Sequence, residues 1–355
     1  MPPEIFQQKI LAWFDENGRK DLPWQQQITP YKTWLSEIML QQTQVATVIP
    51  YFNRFIEQFP DINQLAEASV DSVLQLWSGL GYYARARNLH KTARIINEKG
   101  EGFPDDFNSL LDLPGIGRST AGAILSIAFN NSHPILDGNV RRVLARYHAI
   151  SGWPGKNKVS NELWKLSSRY TPTLRVADYT QAMMDLGATL CTRSKPVCEE
   201  CPINSCCIAK MEDKVSQLPT PKPARVLPVK QIIFLILQNK EWQFFLQKRP
   251  ESGIWGGLWS FPEFDSFAEI QSWCTENNLP IQTVKHLDEQ RHTFSHFHLD
   301  YTAVLVSTEN PINNVMEVNQ SVWYKAGQIN NLGLPAPIKR LLQDQYKEED
   351  YGKNS

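Results

Sequence analysis

Four cysteines lie within seventeen residues of this chain, at Cys191, Cys198, Cys201 and Cys207. Thiolates this close in sequence can converge on one point only if a short loop wraps around a common ligand. Tetrahedral sulfur ligation is typical of zinc or of an iron–sulfur cluster. Zinc sites usually combine two short cysteine pairs, whereas this segment has a single C-x2-C pair with more distant outer cysteines. The spacing therefore favours a [4Fe–4S] cluster over zinc.

The identity of the last ligand stays open from spacing alone. Cys206 and Cys207 are adjacent, and two neighbouring side chains cannot both face one centre, so one of them is a bystander. Disulfide bonds in a secreted protein are the alternative use of these cysteines. Residues 1–20 lack the apolar segment and the cleavage pattern of a signal peptide. Six cysteines in 355 residues are also too few for a disulfide-rich scaffold.

Length and charge limit the class of protein. A chain of 355 residues is expected to form two domains. Its longest clean apolar run, Ile232–Leu237, is too short to cross a bilayer, so we expect a cytoplasmic protein without membrane association. Residues 1–225 carry 25 Lys and Arg against 22 Asp and Glu, whereas residues 226–355 carry 11 against 15. Any nucleic-acid footprint must therefore be local.

The first 210 residues are predicted to be helical, because apolar residues recur there with helical spacing and no strand alternation is convincing before residue 225. Clusters such as Gly79-Leu80-Gly81 and Pro114-Gly115 mark the turns. The predicted helices cover Ile5–Asp15, Thr33–Thr47, Val73–Trp77, Leu89–Ile96, Ser119–Phe129, Asn139–His148 and Asp178–Leu190.

Composition changes at a proline-rich segment. Four prolines lie within residues 218–228, which is typical of an extended, semi-rigid linker. The pattern after it predicts an α+β domain, so the chain is expected to be a multidomain protein, α followed by α+β. We divide it into a helical domain of residues 1–213, a linker of 214–229, an α+β domain of 230–346 and a charged tail of 347–355. The predicted strands cover Gln231–Leu237, Gln243–Lys248, Phe297–Val306 and Val322–Tyr324, and the predicted helices cover Phe267–Glu276 and Ala336–Tyr346.

A glycine-containing turn, Leu113-Pro-Gly-Ile-Gly117, separates two of the predicted helices. Gly115 and Gly117 permit a tight turn with exposed backbone N–H groups. Those groups and the positive end of the following helix can hold an anion. Such a hairpin suits a DNA phosphate, where backbone contacts position a protein without reading sequence. An ordinary helix–helix turn is the alternative for these five residues.

Two carboxylates are candidates for chemistry. Asp137 precedes a predicted helix, where an N-cap is the simplest role. Its functional role would be a carboxylate held at the mouth of the hairpin. Glu37 lies in the predicted Thr33–Thr47 helix, where a solvated glutamate is the common case. Two carboxylates near a cleft can nevertheless divide acid and base work if their environments differ.

Taken together, these motifs resemble the MutY-type adenine DNA glycosylases of the helix–hairpin–helix superfamily. The resemblance covers nearly the whole chain and implies a helix–hairpin–helix domain with a [4Fe–4S] loop, then a Nudix-like domain. The matching segments are Leu22-Pro-Trp24, Trp34-Leu-Ser-Glu-Ile-Met-Leu-Gln-Gln-Thr-Gln44, Gly79-Leu-Gly-Tyr-Tyr-Ala-Arg85, Leu113-Pro-Gly-Ile-Gly-Arg-Ser-Thr-Ala-Gly122, Ile135-Leu-Asp-Gly-Asn-Val140, Gln181-Ala-Met-Met-Asp-Leu-Gly187 and the cysteine loop.

The resemblance implies excision of adenine paired with 8-oxoguanine or guanine, after the nucleotide is flipped out of the duplex. It implies that Glu37 protonates adenine at N7 and later helps to activate water, while Asp137 stabilises the oxocarbenium ion and Asn139 holds the sugar or a nearby water. The acid needs a raised pKa, whereas Asp137 must stay ionised. The implied cluster ligands are Cys191, Cys198, Cys201 and Cys207. The implied base-binding and DNA-binding residues are Trp24, Gln25, Gln42, Thr43, Tyr82, Gly115, Gly117, Ser119 and Gln181.

Residue 119 bears on the type of glycosylase. Related bifunctional enzymes carry a lysine at this hairpin position and use it to form a Schiff base. This chain has Ser119 there and no lysine between Lys99 and Lys156. The local arginines stay protonated and cannot act as amine nucleophiles. A monofunctional glycosylase that leaves an abasic site is therefore expected.

The second domain resembles a Nudix hydrolase fold without the hydrolase chemistry. Gly253-Ile-Trp-Gly-Gly-Leu-Trp-Ser-Phe-Pro-Glu263 resembles the front of that fold. Residues 264–277 lack the clustered glutamates that bind magnesium in Nudix enzymes. Phe294, Ser295 and His296 match the lesion-reading loop by resemblance and would contact 8-oxoguanine. A hairpin turn is the alternative for this segment, and Phe297 is expected in the core.

Three other functions remain open from the sequence. An endonuclease III-like lyase is disfavoured by Ser119 and by the second domain. A redox or sensor protein would use the cluster as its working centre, and a DNA-binding module would have a structural cluster and no catalysis. The expected partner is double-stranded DNA with A:8-oxoguanine or A:G mispairs. Repair or clamp proteins could dock at the linker, and a monomer in the bacterial cytosol or nucleoid is expected.

Overall fold

A computed structural model describes residues 1–224, 226–279, 281, 283–308, 321–325 and 332–353, with side chains up to residue 346. Its contacts divide the chain into two units. The first unit combines Met1–Glu67 with Asn88–Ala224, and the second combines Ala68–Arg87 with Arg225–Ser355. The predicted domain boundaries stay a prediction, but the grouping by contacts places the segment around Tyr82 in the second unit. Within the described part of the chain, no helix has the length and apolarity that a membrane span requires.

Before residue 225 the regular structure that is described is helical. Some helix N-termini carry side-chain caps: the Thr29 side chain accepts from Lys32 N at 3.1 Å, and Asp106 accepts from Ser109 N at 2.9 Å. The helices are α1 (Pro3–Asn17), α2 (Pro30–Leu40), α3 (Val45–Gln58), α4 (Ile62–Glu67), α5 (Val70–Trp77), α6 (Ala84–Lys99), α7 (Phe107–Leu111), α8 (Arg118–Ala128), α9 (Gly138–Tyr147), α10 (Asn157–Tyr170), α11 (Val176–Thr189) and α12 (Ile208–Met211).

The core of the first unit brings the N-terminal helix onto α9, α10 and α11. Phe6 packs edge-on against Tyr147, with 5.0 Å between ring centroids, and at 4.4 Å against Tyr170. Helices α9 and α11 approach closely at Gly187, where an added Cβ would lie 2.5 Å from Asn139 Cβ. Only glycine allows this spacing, which brings the start of α9 against the end of α11.

The second unit contains a mixed sheet with the order β3-β2-β1-β6-β5, with β4 beside β1 and β7 beside β2. The β1–β6 pair is parallel and the other pairs are antiparallel. Leu235, Leu237, Phe245, Ile270 and Val304 form part of its core. The elements are β1 (Val229–Asn239), β2 (Gln243–Lys248), β3 (Trp259–Ser260), β4 (Glu263–Phe264), α13 (Phe267–Glu276), β5 (Thr283–Thr293), β6 (His298–Thr308), β7 (Ser321–Lys325) and α14 (Ala336–Lys353).

Several elements differ from the sequence prediction, which also missed the whole of α10. The predicted Thr33–Thr47 helix breaks after Leu40, and Gln42 adopts a left-handed φ of 58°. Strand β5 was not predicted, because most of its side chains are exposed and show no apolar alternation. Helix α14 runs to Lys353 rather than ending at Tyr346, since the charged segment 347–353 contains good helix formers such as Lys and Glu. The last two residues of the predicted tail lie outside the described residues.

Candidate active site and cysteine loop

A cavity of about 220 Å³ lies in the first unit, with Glu37 in its wall. One water occupies roughly 30 Å³ of liquid volume, so this cavity has room for a flat ring system. The predicted base-binding residues Trp24, Gln25 and Gln181 line the same cavity. The remaining lining residues are Phe14, Arg19, Lys20, Ile28, Thr33, Ser36, Ile127, Ala177 and Asp178.

Separate elements bring these side chains together. Trp24 and Gln25 lie in a short 3-10 turn, Pro23–Gln25, where the Gln25 side chain accepts from Leu22 N at 3.2 Å. The Trp24 ring meets Phe52 edge-on, with 5.5 Å between centroids, and is buried. Glu37 projects from α2 and Gln181 from α11. The cavity thus has an aromatic wall, two amides and two carboxyls, those of Glu37 and Asp178.

The Glu37 carboxyl has the character of an acid. Burial raises the pKa of Glu37 to about 8, and the nearby Asp137 carboxylate adds to the shift. At neutral pH this side chain therefore carries its proton. A general acid requires that state, and the environment supplies it without any metal or cationic partner.

Asp137 is the N-cap of α9. Its Oδ1 accepts from Val140 N at 2.8 Å, so the simple role predicted for it is present. Burial raises the pKa of Asp137, while the backbone N–H groups and the Arg142 and Arg141 guanidiniums act in the opposite direction. The net rise goes against the expectation of a low pKa. Of the two carboxyls, however, Asp137 has the hydrogen-bond donors and the cations, so it is the better placed of the two to carry the negative charge.

Asn139 is held by Arg142 rather than by the cavity wall. Arg142 Nη2 donates to Asn139 Oδ1 at 2.8 Å and to the Gly187 carbonyl at 2.6 Å, and Nε donates to the Cys191 carbonyl at 2.6 Å. One guanidinium therefore joins the first turn of α9, the end of α11 and the first cysteine of the loop.

The predicted cluster ligands Cys191, Cys198, Cys201 and Cys207 line one apolar cavity, and Cys206 is not among its lining residues. Among the described residues, no group of three His, Cys, Asp or Glu side chains is placed to hold a single metal ion. The structure thus brings the four predicted ligands to the wall of one space.

Basic groups surround the cysteine loop. Arg146 is buried and donates to Cys191 Sγ at 3.4 Å and to the Thr192, Arg193 and Leu218 carbonyls. Burial raises the pKa of Cys201 to about 12, so its thiol stays protonated unless a bound cationic centre stabilises the thiolate. Lys210 pairs with Glu199 at 3.0 Å.

The glycine turn forms the hairpin that the sequence predicts. Gly115 has a φ of +80° and an added Cβ would lie 3.0 Å from Asn88 Cβ, while Gly117 caps the 11-residue helix α8. Both glycines are exposed. Ser119 Oγ accepts from Leu136 N at 2.9 Å, so this hydroxyl fixes the strand of chain directly before Asp137.

The remaining predicted DNA contacts lie on exposed turns. In the first unit, Gln42 is exposed in the left-handed turn after α2, and Thr43 is partly buried there. In the second unit, Tyr82 is 48% exposed with a φ of +50°, and the Arg85 guanidinium lies 5.4 Å from its ring centroid. An exposed aromatic ring on a strained turn is available for contact with bases.

The predicted lesion-reading loop is the tight turn between β5 and β6. Phe294 N donates to the Phe297 carbonyl at 2.9 Å, and the two rings stack with 4.6 Å between centroids. Phe297 is buried, as predicted. Ser295 and His296 are exposed at the tip, and Trp255 packs 5.3 Å from Phe294. The base of the loop is thus held by the packing of Phe294 on Phe297, and its tip is polar.

Sequence reasoning missed several cavity residues. Arg19 and Lys20 directly precede the Leu22-Pro-Trp24 motif, and a wider motif window would have included them. The Lys20 ammonium donates to the Asp15 carbonyl at 2.6 Å. Asp185 lies inside the quoted Gln181–Gly187 segment, but its helical spacing gave no reason to single it out. Its contacts with Arg19 depend on how the end of α1 packs beside α11, which the sequence alone does not show.

Comparison with known proteins gives a consistent assignment. A family model described as HhH-GPD superfamily base excision DNA repair protein matches residues 35–169, and a NUDIX domain model matches residues 233–344. Adenine DNA glycosylase from Buchnera aphidicola subsp. Acyrthosiphon pisum is 43% identical over 345 residues, 97% of this chain and 98% of that protein. The Homo sapiens adenine DNA glycosylase is 35% identical over 95% of this chain and 73% of its own length. A solved thermostable thymine-DNA glycosylase superposes with a TM-score of 0.54 at 27% identity, covering 59% of this chain and 97% of that one.

Proposed function

The chain belongs to the adenine DNA glycosylases, enzymes of base excision repair, and from this membership we propose that it hydrolyses the N-glycosidic bond of adenine paired with 8-oxoguanine or guanine. The observation that carries the proposal is the protonated Glu37 carboxyl in the wall of a base-sized cavity, with Asp137 near enough to shift its pKa. A neutral acid beside an anion is the pair that glycosidic cleavage needs.

Binding of adenine in this cavity requires that the nucleotide leave the duplex. Extrusion costs a few kcal/mol, least for a mispaired base. In the proposal, Trp24 offers a flat apolar face to the adenine ring, and Gln25 and Gln181 offer hydrogen bonds to its edge. Gln42 and Tyr82, on exposed turns, occupy or probe the stack from which the base has left. Each of these side chains is partly or fully exposed to the cavity or to solvent.

Bond cleavage then follows from the two carboxyls. The Glu37 proton moves to adenine N7, the C1′–N9 bond breaks, and its electron pair leaves with the now neutral base. Positive charge develops on the sugar, where Asp137 stabilises it and Asn139 holds the sugar or a water. Glu37, now a carboxylate, takes a proton from water as the hydroxyl adds to C1′. The products are free adenine and an abasic site.

The raised pKa of Glu37 predicts a pH profile. The acid form dominates below about 8 and is lost above it. We expect the single-turnover rate of adenine release to be level near neutral pH and to fall by about tenfold per unit well above that pKa. Rapid-quench assays from pH 6 to pH 10, with duplex binding checked at each pH, measure this. A rate that keeps rising through the alkaline range would remove Glu37 from the role of acid.

The sequence also predicts that the enzyme does not cut the strand. The described cavity contains one lysine, Lys20, whose ammonium is held by the Asp15 carbonyl. We therefore expect abasic product without nicking, and no borohydride-trapped adduct, under conditions that release all of the adenine. Gel analysis with and without alkali measures both. Nicking that disappears in Lys20→Met would instead indicate lyase chemistry through that amine.

We further propose one [4Fe–4S] cluster held by Cys191, Cys198, Cys201 and Cys207. A bound cluster would supply a compact anionic centre that ties the loop together. The chain itself contributes hydrogen-bond donors around this site, above all Arg146 Nη1, which donates to Cys191 Sγ. Glu37 and Asp137 are on other segments, so the role proposed for the loop is structural: it presents Arg193 and Lys195 to DNA phosphates.

The other DNA contacts follow from exposed features. Gly115, Gly117 and Ser119 belong to the hairpin that opens α8, whose N–H groups suit a phosphate. Thr43 lies beside Gln42 in the turn after α2. In the second unit, Phe294, Ser295 and His296 would contact 8-oxoguanine. We propose a monomer that acts in the cytosol or nucleoid, with the linker available to repair or clamp proteins.

A base-release assay tests the proposed function. The full-length protein is incubated with duplexes that place adenine opposite 8-oxoguanine, guanine or thymine. Release from the first two and little from the third is expected. Equal release from all three would reject lesion-directed repair. Excision of oxidised pyrimidines instead of adenine would favour an endonuclease III-like enzyme, and binding without any release would favour a DNA-binding module.

A further inference from the structure

Asp185 is a fully buried carboxylate that the mechanism above does not use. Its side chain is 0% exposed and lies one helical turn after Gln181 on α11. Oδ2 accepts from Arg19 N at 2.9 Å, and Oδ1 accepts from Arg19 Nε at 3.0 Å and Nη2 at 2.5 Å. Oδ1 also accepts from Gln181 Nε2 at 3.0 Å. A buried carboxylate with this many donors has a fixed position.

Both partners of Asp185 line the cavity, whereas Asp185 is not among the lining residues. The carboxylate therefore lies behind two side chains that face the bound base. Its three bonds to Arg19 also fix the chain just before the turn that carries Trp24. Removing one member of such a buried charge pair leaves the other uncompensated, which is costly.

The hydrogen bond to Gln181 has a chemical consequence. An ionised carboxylate only accepts, so Asp185 selects the amide orientation in which Nε2 faces it. Oε1 is then left as the acceptor of this side chain, and a nucleobase that offers an amino group can satisfy it. A base with a carbonyl at the same position would place two acceptors against each other.

On this basis, and resting on the proposed function, we propose that Asp185 is a positioning residue that sets the amide of Gln181 to recognise the 6-amino group of adenine and to reject 6-oxopurines. Arg19 shares the carboxylate and keeps it in place. Asp185 touches no substrate atom. Its effect on selectivity passes through Gln181.

Asp185→Asn in the full-length protein tests this. An asparagine can turn its own N–H2 toward residue 181, so the Gln181 amide is no longer held in one orientation. We expect the ratio of adenine to hypoxanthine excision, each opposite 8-oxoguanine, to fall by about tenfold, the value of one hydrogen bond of roughly 1.4 kcal/mol. Asp185→Glu, which keeps an acceptor, should restore part of the ratio.

Gln181→Leu supplies the matched background. In that variant the ratio is already low, and adding Asp185→Asn should not lower it further, because the amide is gone. A merely structural role of Asp185 would instead lower the adenine and hypoxanthine rates by the same factor, so that their ratio stays unchanged, and it would do so both with Gln181 present and in the Gln181→Leu background. An unchanged ratio in Asp185→Asn, or an equal effect in the two backgrounds, overturns the proposal.

Binding keeps the test independent of catalysis. Binding is measured with duplexes that contain non-cleavable 2′-fluoro derivatives of deoxyadenosine or deoxyinosine. The ratio of the two dissociation constants then takes the place of the ratio of excision rates. If the protein excises no adenine, the proposed function fails, but the binding ratio and its loss in Asp185→Asn still decide the role of Asp185. If Asp185→Asn does not fold, Gln181→Leu is the decisive variant. A carboxylate at position 181 would still offer an acceptor to the base, whereas leucine offers none, so an unchanged ratio in Gln181→Leu would contradict the proposal.

Discussion

Glu37→Gln is expected to slow adenine release by about 10²–10⁴-fold, the usual contribution of a general acid. The amide keeps the size and most of the polarity of the side chain but has no proton to give to N7. The bond would then have to break with an anionic leaving group. Single-turnover kinetics on a duplex with adenine opposite 8-oxoguanine measure the loss.

The loss should be confined to chemistry. Dissociation constants for a non-cleavable duplex should change little, because Trp24, Gln25 and Gln181 still line the cavity. Glu57→Gln, on the exposed face of α3, is a matched control and should retain full activity. Release at the normal rate by Glu37→Gln would show that the Glu37 proton is not needed and would end the proposed mechanism.

Folding provides a second measurement on the same variant. The folded-state pKa of Glu37, about 8, lies above its ordinary value of 4.5. Between these values the folded protein binds more protons than the unfolded chain, so stability falls as pH rises through this window. Glutamine removes that dependence. Glu37→Gln should therefore match the wild type in melting temperature near pH 4.5 and exceed it at pH 8 to 9.

Cys207→Ser is expected to have the second large effect. Cys207 lines the cavity shared by all four predicted ligands, and its loss would leave a cluster with three. We expect low iron content, weak visible absorbance, poor solubility and much weaker duplex binding in whatever protein remains folded. Iron analysis, absorption spectra and binding titrations measure these results.

Cys206→Ser is the control for that variant, because Cys206 is adjacent in sequence but does not line the cavity. It should keep its iron, its spectrum and its DNA affinity. If the two variants exchange their behaviour, Cys206 is the ligand and the loop has a different path. If both retain a full cluster, neither of these neighbouring residues is required as the fourth ligand.

Much of this arrangement could be predicted from the sequence because local rules determined it. The Pro-Gly-Ile-Gly turn specified the hairpin, and Asp137 at a helix start specified an N-cap. Apolar spacing gave several of the long helices of the first unit but not α10, and strand β2 was predicted with its observed bounds, Gln243–Lys248. The assignment of Glu37 as a candidate acid came from the resemblance. Its raised pKa required knowledge of what surrounds it.

The rest depended on contacts between distant segments. Arg19 and Asp185 are 166 residues apart, and the sequence around either residue does not predict that the two are in contact. The break after Leu40 was missed because Gln41–Gln44 continues a plausible helix pattern until Gln42 takes a left-handed conformation. Likewise, cysteine spacing could not choose between Cys206 and Cys207, whereas the structure has Cys207, and not Cys206, among the residues that line the cavity.

The missing side chain at Gly187 carries a consequence for how this site can vary. A Cβ on residue 187 would overlap Asn139, so there is no room for a side chain of residue 187 between α9 and α11. Asp137, the proposed stabiliser of the oxocarbenium ion, is only two residues from that contact. Any larger residue at 187 would tilt the start of α9 and misdirect Asp137 while every reactive group remained present. The alignment of the active site therefore depends on the spacing between α9 and α11. One methyl group added at residue 187, far from the base, could inactivate the enzyme.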